Sequence, residues 1–302
     1  LVLVALLLMN LTAVKYFGEM EFWFALIKVI AIISLIIIGI IMIVTGFTTD
    51  AGVAAFSNMW NYGGWFPNGT MGFILSFQMV VFAFTGIELV GLTAGETEDP
   101  EKVIPMAINN IPLRIILFYV SSLAIIMSIY PWTAVNPAAS PFVAVFTAVG
   151  ITAAAGIVNF VVLTSAASAT NSGIFSTGRM IYALAKRGHA PSSMRRLTHS
   201  SVPYQATIFS AAVLLITVVL NYVMPEAVFV MITSISTFCF IFIWAMMVIC
   251  HLKYRKKNPD VVAQSKFKMP LYPVMNYVIL AFFVFVLAIL ALNEDTRIAL
   301  LF

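Results

Sequence analysis

Charged side chains are scarce in this chain of 302 residues. Asp, Glu, Lys and Arg together make up 9% of the residues, whereas 62% are hydrophobic. Soluble domains carry about 25% charged residues, and no single soluble core could bury so much apolar surface. The apolar runs are continuous and exceed the roughly ten-residue segments of a membrane β-barrel. The composition therefore predicts an all-α polytopic membrane protein.

Cysteine and histidine are also scarce, which excludes several kinds of site. Cys239 and Cys250 fall in one predicted span, and the helix between them would hold them roughly 16 Å apart, too far for a disulfide. The three histidines lie in predicted loops and lack the spacing of metal ligands. The sequence also lacks a phosphate-binding loop, a nucleophile elbow and the charged n-region of a signal peptide. We therefore expect neither a metal nor an organic cofactor.

Long apolar runs predict the membrane spans, since a spanning helix needs about 17–25 mostly apolar residues. Eight runs are candidate spans, at about 1–15, 22–47, 71–95, 113–133, 151–180, 205–224, 228–250 and 272–292. The first is shorter than this length and is expected to be truncated, and the fifth is longer because its second half is a less apolar helix that leaves the membrane. The connections carry Pro, Asn and Gly, which are typical of turns. Because the connections contain no recognisable soluble domain, residues 1–302 are predicted to form one transmembrane domain.

Lys and Arg are missing from one set of connections, at 48–70, 134–150 and 225–227. They concentrate in the other set, at 96–114, 185–204 and 251–271. Loops rich in Lys and Arg face the cytoplasm, so the pattern predicts a multi-pass protein of the cytoplasmic (inner) membrane with the second set inside. The net charge of +4 follows from this topology and gives no reason to expect a nucleic-acid partner.

A carboxylate, Glu88, stands inside the third apolar run. A charge near the bilayer centre is costly, so it is retained for function or for a specific partner. Glycines punctuate the same run, at Gly72, Gly86, Gly91 and Gly95, and each Gly weakens a helix by roughly 1 kcal/mol relative to Ala. The combination predicts a helix that is interrupted within about two residues of Thr85 and lines a substrate site. Glu88 would either titrate during transport or join two helices as a static hydrogen-bonding acid.

Other polar and aromatic residues in the spans have two interpretations each. Lys28 lies seven residues into its span, where it either has a functional role or extends its amine to the membrane interface. Glu21 lies about two turns away on the same helix and is a poor local partner. The small and hydroxyl residues at 164–173 either allow close helix packing or line a polar cavity. Phe82 and Phe84 flank the predicted interruption and could cover a small ligand, although Phe is common in this chain.

These segments resemble bacterial amino-acid permeases of the amino acid–polyamine–organocation superfamily, and the resemblance covers nearly the whole chain. Residues 82–109 are similar to the family's helix-6 signature, 17–28 to the entry of helix 5, and 172–191 to the end of helix 8. Within the family, 163–172 and 293–297 are most similar to D-serine/D-alanine/glycine permeases. Aromatic, proline and GABA permeases share much of this pattern.

The resemblance implies the inverted-repeat fold of the leucine-transporter type, with a broken helix 6. Residues 1–47 would be the end of helix 4 and helix 5, and 71–250 would be helices 6–10, one complete repeat. Residues 272–302 would be helix 11 and the start of helix 12. The N-terminal helices, including the helix 1 that carries the carboxylate-binding half of the site, would lie outside this sequence.

The resemblance also implies roles for individual residues. Phe82 would be the gating aromatic ring, and backbone carbonyls near it would bind the substrate ammonium. Glu88 and Lys28 would couple protonation to conformation, with Lys28 in the place of a sodium ion. Together with the hydroxyl-rich fifth span, the candidate substrate-binding residues are Phe82, Ala83, Phe84, Thr85, Gly86, Ser165 and Ser168.

The predicted function is proton-coupled import of small neutral amino acids, of the glycine, D-alanine and D-serine type, by alternating access. The partners are this substrate and the lipid bilayer, and the proton is the coupling ion. A permease for aromatic amino acids, proline or GABA is the alternative.

An intramembrane enzyme would need paired acids or a metal site, and Glu88 is the only clear mid-span acid. A channel would show rings of charge or a filter loop, and the sequence shows neither.

Overall fold

Helices dominate the computed structural model, which describes residues 2–11, 14–92, 97–135, 140–150, 153–223, 225–265, 267–292 and 296. In chain order the helices are α1 (Val2–Asn10), α2 (Val14–Thr45), α3 (Asn58–Asn61), α4 (Gly69–Ala83), α5 (Leu89–Leu92), α6 (Pro100–Arg114), α7 (Ser121–Ile129), α8 (Pro141–Ala148), α9 (Ala154–Lys186), α10 (Tyr204–Val223), α11 (Pro225–Lys257), α12 (Pro259–Gln264) and α13 (Val274–Leu292). A π-helical turn at Ile115–Val120 joins α6 to α7. The strands β1 (Thr48–Thr49) and β2 (Gly52–Val53) form a short antiparallel hairpin.

Five of the described helical segments are long and apolar enough to cross a membrane. They are Gly18–Thr45, Pro100–Ile129, Ala155–Lys186, Met231–Lys257 and Val274–Leu292. Gly69–Ala83 and Tyr204–Leu220 are shorter apolar helices, and α1 has nine residues. The predicted all-α polytopic class is confirmed. The predicted start of helix 12, the motif at 293–297 except residue 296, and Gly95 lie outside the described residues.

The connections contain more helix than the sequence analysis predicted. Most of the predicted loop 96–114 is α6, and α8 lies within the predicted connection 134–150. The predicted loop 251–271 is shortened by α11 and contains α12. Hydropathy detects only the apolar part of a helix. Helix α6 begins earlier, at a proline, a residue whose fixed φ suits the first helical turn. The segment therefore continues as helix although its polar residues dilute the apolar signal.

The chain divides into two compact units. Unit 1 comprises Leu1–Trp65 and Asn109–Val218, and unit 2 comprises Phe66–Ile108 and Val219–Phe302. In unit 1, α2 packs against α9 and α7, and a buried cluster surrounds Leu35 and Ile129. In unit 2, α4, α11 and α13 pack around a buried cluster that includes Ile241 and Leu290.

An interruption divides the third predicted span, as the sequence analysis expected. Helix α4 ends at Ala83, residues 84–88 form a turn, and α5 begins at Leu89. Gly86 has a φ of +102°, a backbone conformation that residues with a Cβ rarely adopt. The predicted break within two residues of Thr85 is therefore confirmed, and Gly86 is the residue that permits it.

We expect Gly86→Ala to destabilise the protein by roughly 1–3 kcal/mol, because a residue with a Cβ is strained at this φ. Gly91→Ala is the matched control five residues later, in α5, where a Cβ would meet no atom within 4 Å. That substitution should be neutral or slightly stabilising, since Ala favours helix. Thermal unfolding of the purified variants in detergent measures both effects. Equal melting temperatures for the two variants would show that the strained turn is absent in solution.

Candidate functional site

Hydrogen bonds inside the turn hold the break in place. The Thr85 hydroxyl donates to the Phe82 carbonyl over 2.8 Å, and the Thr85 backbone N–H donates to the same oxygen over 3.1 Å. On the far side, the Leu89 N–H donates to the Gly86 carbonyl over 3.1 Å. The Phe82 carbonyl, predicted to bind a substrate ammonium, thus already accepts two bonds, and an ammonium would share this oxygen with Thr85.

Glu88 is held by the turn and by a neighbouring helix of the same unit. Its Oε2 accepts the Gly86 N–H over 3.1 Å and the indole N–H of Trp244, in α11, over 3.2 Å. The indole in turn lies beside the rings of Phe240 and Phe283, with centroids 5.8 and 6.2 Å away. A partly buried carboxylate needs such donors. Glu88 therefore joins the turn to α11 in this structure, an arrangement that fits both the static and the titrating interpretation.

The remaining predicted residues of this cluster lie beside the break. Phe82 is half-buried in the last turn of α4, Phe84 is half-buried at the start of the turn, and Ala83 between them is exposed. Both aromatic residues therefore lie at the N-terminal edge of the interruption and not on its two sides. Trp244 was not predicted as a site residue. Its position in an apolar span could have indicated a partner, because a buried indole N–H usually donates a hydrogen bond.

A second cluster forms in unit 1, where Lys28 meets α9. The Lys28 Nζ donates to the Ser168 Oγ over 2.8 Å, and the Ser168 hydroxyl donates to the Glu21 Oε1. Ser168 is 1% exposed, whereas both ionisable side chains are half-buried. The amine is thus held against a buried hydroxyl of the neighbouring helix.

Glu21 is a closer partner of Lys28 than the sequence analysis expected. The two side chains lie on one face of α2 but two turns apart, which is too far for direct contact. The hydroxyl of Ser168, on the facing helix α9, is hydrogen-bonded to both side chains and bridges them. The spacing along α2 was visible in the sequence, but the bridging residue could not be identified before the register of α2 against α9 was known.

Ser165 lies one turn before Ser168 and lines a cavity of about 750 Å³ between α2, α8 and α9. Lys28 lines the same cavity, and the other walls are mainly apolar. The opposite side of α9 packs closely, since Ala167 and Ile174 are buried in a cluster with Leu6 of α1. The small-residue run therefore packs closely on one face of α9. On the other face it lines a cavity, but the walls of that cavity are mainly apolar and not polar as the alternative interpretation expected.

The predicted site residues thus form two clusters, one in each unit. Residues 82–88 are together in unit 2, and Lys28, Ser165 and Ser168 are together in unit 1. Within the described part of the chain, no group of three or more His, Cys, Asp or Glu side chains is placed to hold a metal ion.

Known proteins match this chain over nearly its full length. It is 66% identical over 298 residues to a protein of Bacillus subtilis (strain 168) named uncharacterized transporter YdgF, and 64% identical over 300 residues to amino-acid permease AapA of the same strain. The D-serine/D-alanine/glycine transporter of Escherichia coli (strain K12) is 53% identical over 303 residues. These alignments include 99% of this chain but span only 65%, 65% and 64% of the respective relatives.

These relatives are transporters and permeases rather than enzymes, and the long apolar helices are those of a multi-pass protein of the bacterial inner membrane. The model of the amino acid permease family matches residues 1–299. The chain therefore belongs to the amino acid permease family.

Proposed function

We propose that this chain forms part of a proton-coupled importer of small neutral amino acids, such as glycine, D-alanine and D-serine. Its family supports an amino acid as the transported substrate, and the similarity to the D-serine/D-alanine/glycine transporter of Escherichia coli supports a small one. The proposed fold is the inverted repeat, with residues 71–250 as one repeat. The chain covers about two thirds of its relatives' length, so the activity is proposed for the complete gene product.

The broken helix is the proposed substrate-binding element. A helix end leaves carbonyl groups without intrahelical partners, and a helix start leaves N–H groups. The carbonyl end carries a partial negative charge that favours an ammonium. The turn at 84–88 brings a helix end, a helix start and the Glu88 carboxylate into one short segment. Residues 82–86 would therefore bind the amino group. In unit 1, Ser165 and Ser168 remain proposed substrate-binding residues.

The observation that carries proton coupling is the hydrogen bond from Lys28 to the buried Ser168 hydroxyl. A positive charge within apolar helices is costly, and the neutral Ser168 hydroxyl, its acceptor among the described residues, compensates it only in part. Loss of a proton removes the charge, and a lysine amine changes its protonation readily when it is buried. Lys28 is therefore the proposed group that binds and releases the coupling proton as the conformation changes.

We expect Lys28→Ala to reduce accumulation driven by a pH gradient by roughly a hundredfold, the scale of effects from a positioned proton-transfer group. Exchange of substrate across the membrane needs no net proton movement and should persist. Uptake of labelled glycine into proteoliposomes that carry the complete gene product measures both activities. Lys257→Ala, at the exposed C-terminal end of α11, is the control. Wild-type accumulation by Lys28→Ala would remove Lys28 from the mechanism.

We also expect glycine, alanine and serine to compete for transport better than phenylalanine or tryptophan. A hydrophobic pocket distinguishes a methylene by only about 1–3 kcal/mol, so exclusion of large substrates requires a steric gate, the role proposed for Phe82. Phe82→Ala should therefore weaken binding of small substrates and admit larger ones.

Competition assays on the complete gene product measure this change in size preference. Phe73→Ala is the matched control in the same helix, since the Phe73 ring contacts Phe66 and Phe77 away from the turn. If tryptophan competes as well as alanine in the wild type, the aromatic permeases become the better model for the substrate class.

A further inference from the structure

Glu21 is an ionisable group that the proposed site does not use, and it lies within the membrane-spanning part of α2. Its Oε1 accepts a hydrogen bond from Ser168. Its Oε2 is buried and has no hydrogen-bond partner among the described residues. A buried carboxylate oxygen without a donor is destabilising. Protonation of this carboxyl would remove the charge that makes the arrangement costly.

We propose that Glu21 is a second proton-binding site, which exchanges its proton with Lys28 through the hydroxyl of Ser168. The inference rests on the proposed proton coupling and extends it to a named acceptor. A serine hydroxyl can donate one hydrogen bond and accept others at the same time. Ser168 does both, because it accepts from the Lys28 amine and donates to the Glu21 carboxylate. The hydrogens are therefore already directed from Lys28 towards Glu21.

The transfer conserves atoms and charge. An N–H bond of the Lys28 ammonium breaks as an O–H bond forms on Ser168, and the electron pair stays on nitrogen. The original O–H bond of Ser168 breaks as an O–H bond forms on Glu21. The products are a neutral amine, an unchanged serine and a neutral carboxylic acid. Two opposite charges disappear from an apolar region, where keeping charges desolvated is unfavourable.

Few other charges in the described structure can compete for this proton. Helices α1, α7 and α8, which pack against α2, contain no ionisable side chain. Helix α9 contributes Arg179, Tyr182 and Lys186, all more than ten residues beyond Ser168. The Arg179 guanidinium lies 3.3 Å from the centre of the Phe175 ring. On α2 itself, Glu19 is exposed.

A neutral amide pair extends the polar layer one turn further along α9. Asn10 of α1 donates its Nδ2 to the Oδ1 of Asn171 over 2.7 Å, and both residues are buried. The Nδ2 of Asn171 is buried and without a partner among the described residues. Asn171 lies three residues after Ser168, on the same face of the helix. We call the hydrogen-bonded path from Lys28 through Ser168 to Glu21 the relay. Next to it along α9 lie amide groups, which do not bind the proton themselves.

Glu21→Gln tests the inference because it keeps the shape of the side chain and removes its ability to bind the proton. We expect a fall of roughly a hundredfold in gradient-driven glycine accumulation, retained exchange, and a flattened dependence of accumulation on external pH. Ser168→Ala should give the same three results, whereas Ser168→Thr, which keeps the hydroxyl, should restore the wild-type profile. Glu19→Gln is the matched control on the same helix and should behave as the wild type.

Each outcome distinguishes the inference from the proposed function. If Lys28→Ala loses accumulation while Glu21→Gln and Ser168→Ala keep it, the relay is wrong and the coupling role of Lys28 stands. If Lys28→Ala also accumulates normally, the proposed coupling itself is wrong. A purely structural role for Glu21 would reduce exchange and accumulation alike and leave the pH profile unchanged. Should Glu21→Gln fail to fold, the comparison of Ser168→Ala with Ser168→Thr decides, and equal accumulation by both contradicts the relay.

Discussion

The bilayer core offers no water to hydrogen-bond polar groups, and this constraint governs the polar contacts inside the described helices. An unsatisfied group in hydrocarbon costs several kcal/mol, so each polar side chain in a span must find a partner within the protein. Glu88 accepts the indole N–H of Trp244, and Gln78 donates to Ser234 over 3.0 Å. Lys28 and Glu21 share the hydroxyl of Ser168. Each contact joins two packed segments of the chain, so a polar residue in a span also helps to determine how its segment packs against the next.

The proposed link between protonation and conformation follows from the same constraint. A carboxylate or an ammonium in these spans is stabilised by a few neutral donors and acceptors on a facing helix. When its proton is gained or lost, the required partners change from acceptors to donors or the reverse. The contact between the helices then changes in strength, which is the coupling that a transporter needs between ion binding and movement. The broken segment at 84–88 is the proposed place for such a change, because the Glu88 carboxylate accepts one of the hydrogen bonds that hold the turn.

The sequence predicted what depends on local pattern and could not predict what depends on helix register. Long apolar runs identified the five described helices that are long and apolar enough to cross a membrane. The combination of Gly86 with Glu88 identified the break. The partners of the ionisable groups were not predictable in the same way. Trp244 is 156 residues from Glu88, and Ser168 is 147 residues from Glu21, so each pairing depends on how distant helices align. Helix α6 was missed because hydropathy detects apolar runs, whereas α6 begins at a proline and contains many polar residues. Helix α8 is apolar, but its eight residues are too few to be recognised as a membrane span.

Proton movement with the amino acid is the central claim, and the pH of a weakly buffered external medium measures it directly. Proteoliposomes that carry the complete gene product are prepared without any ion gradient, and unlabelled glycine is then added outside. Proton-coupled import predicts that the medium becomes more alkaline as glycine enters. The same response should follow D-alanine or D-serine, and the Lys28→Ala variant should lack it. Glycine entry into wild-type vesicles with no change in external pH would contradict the account.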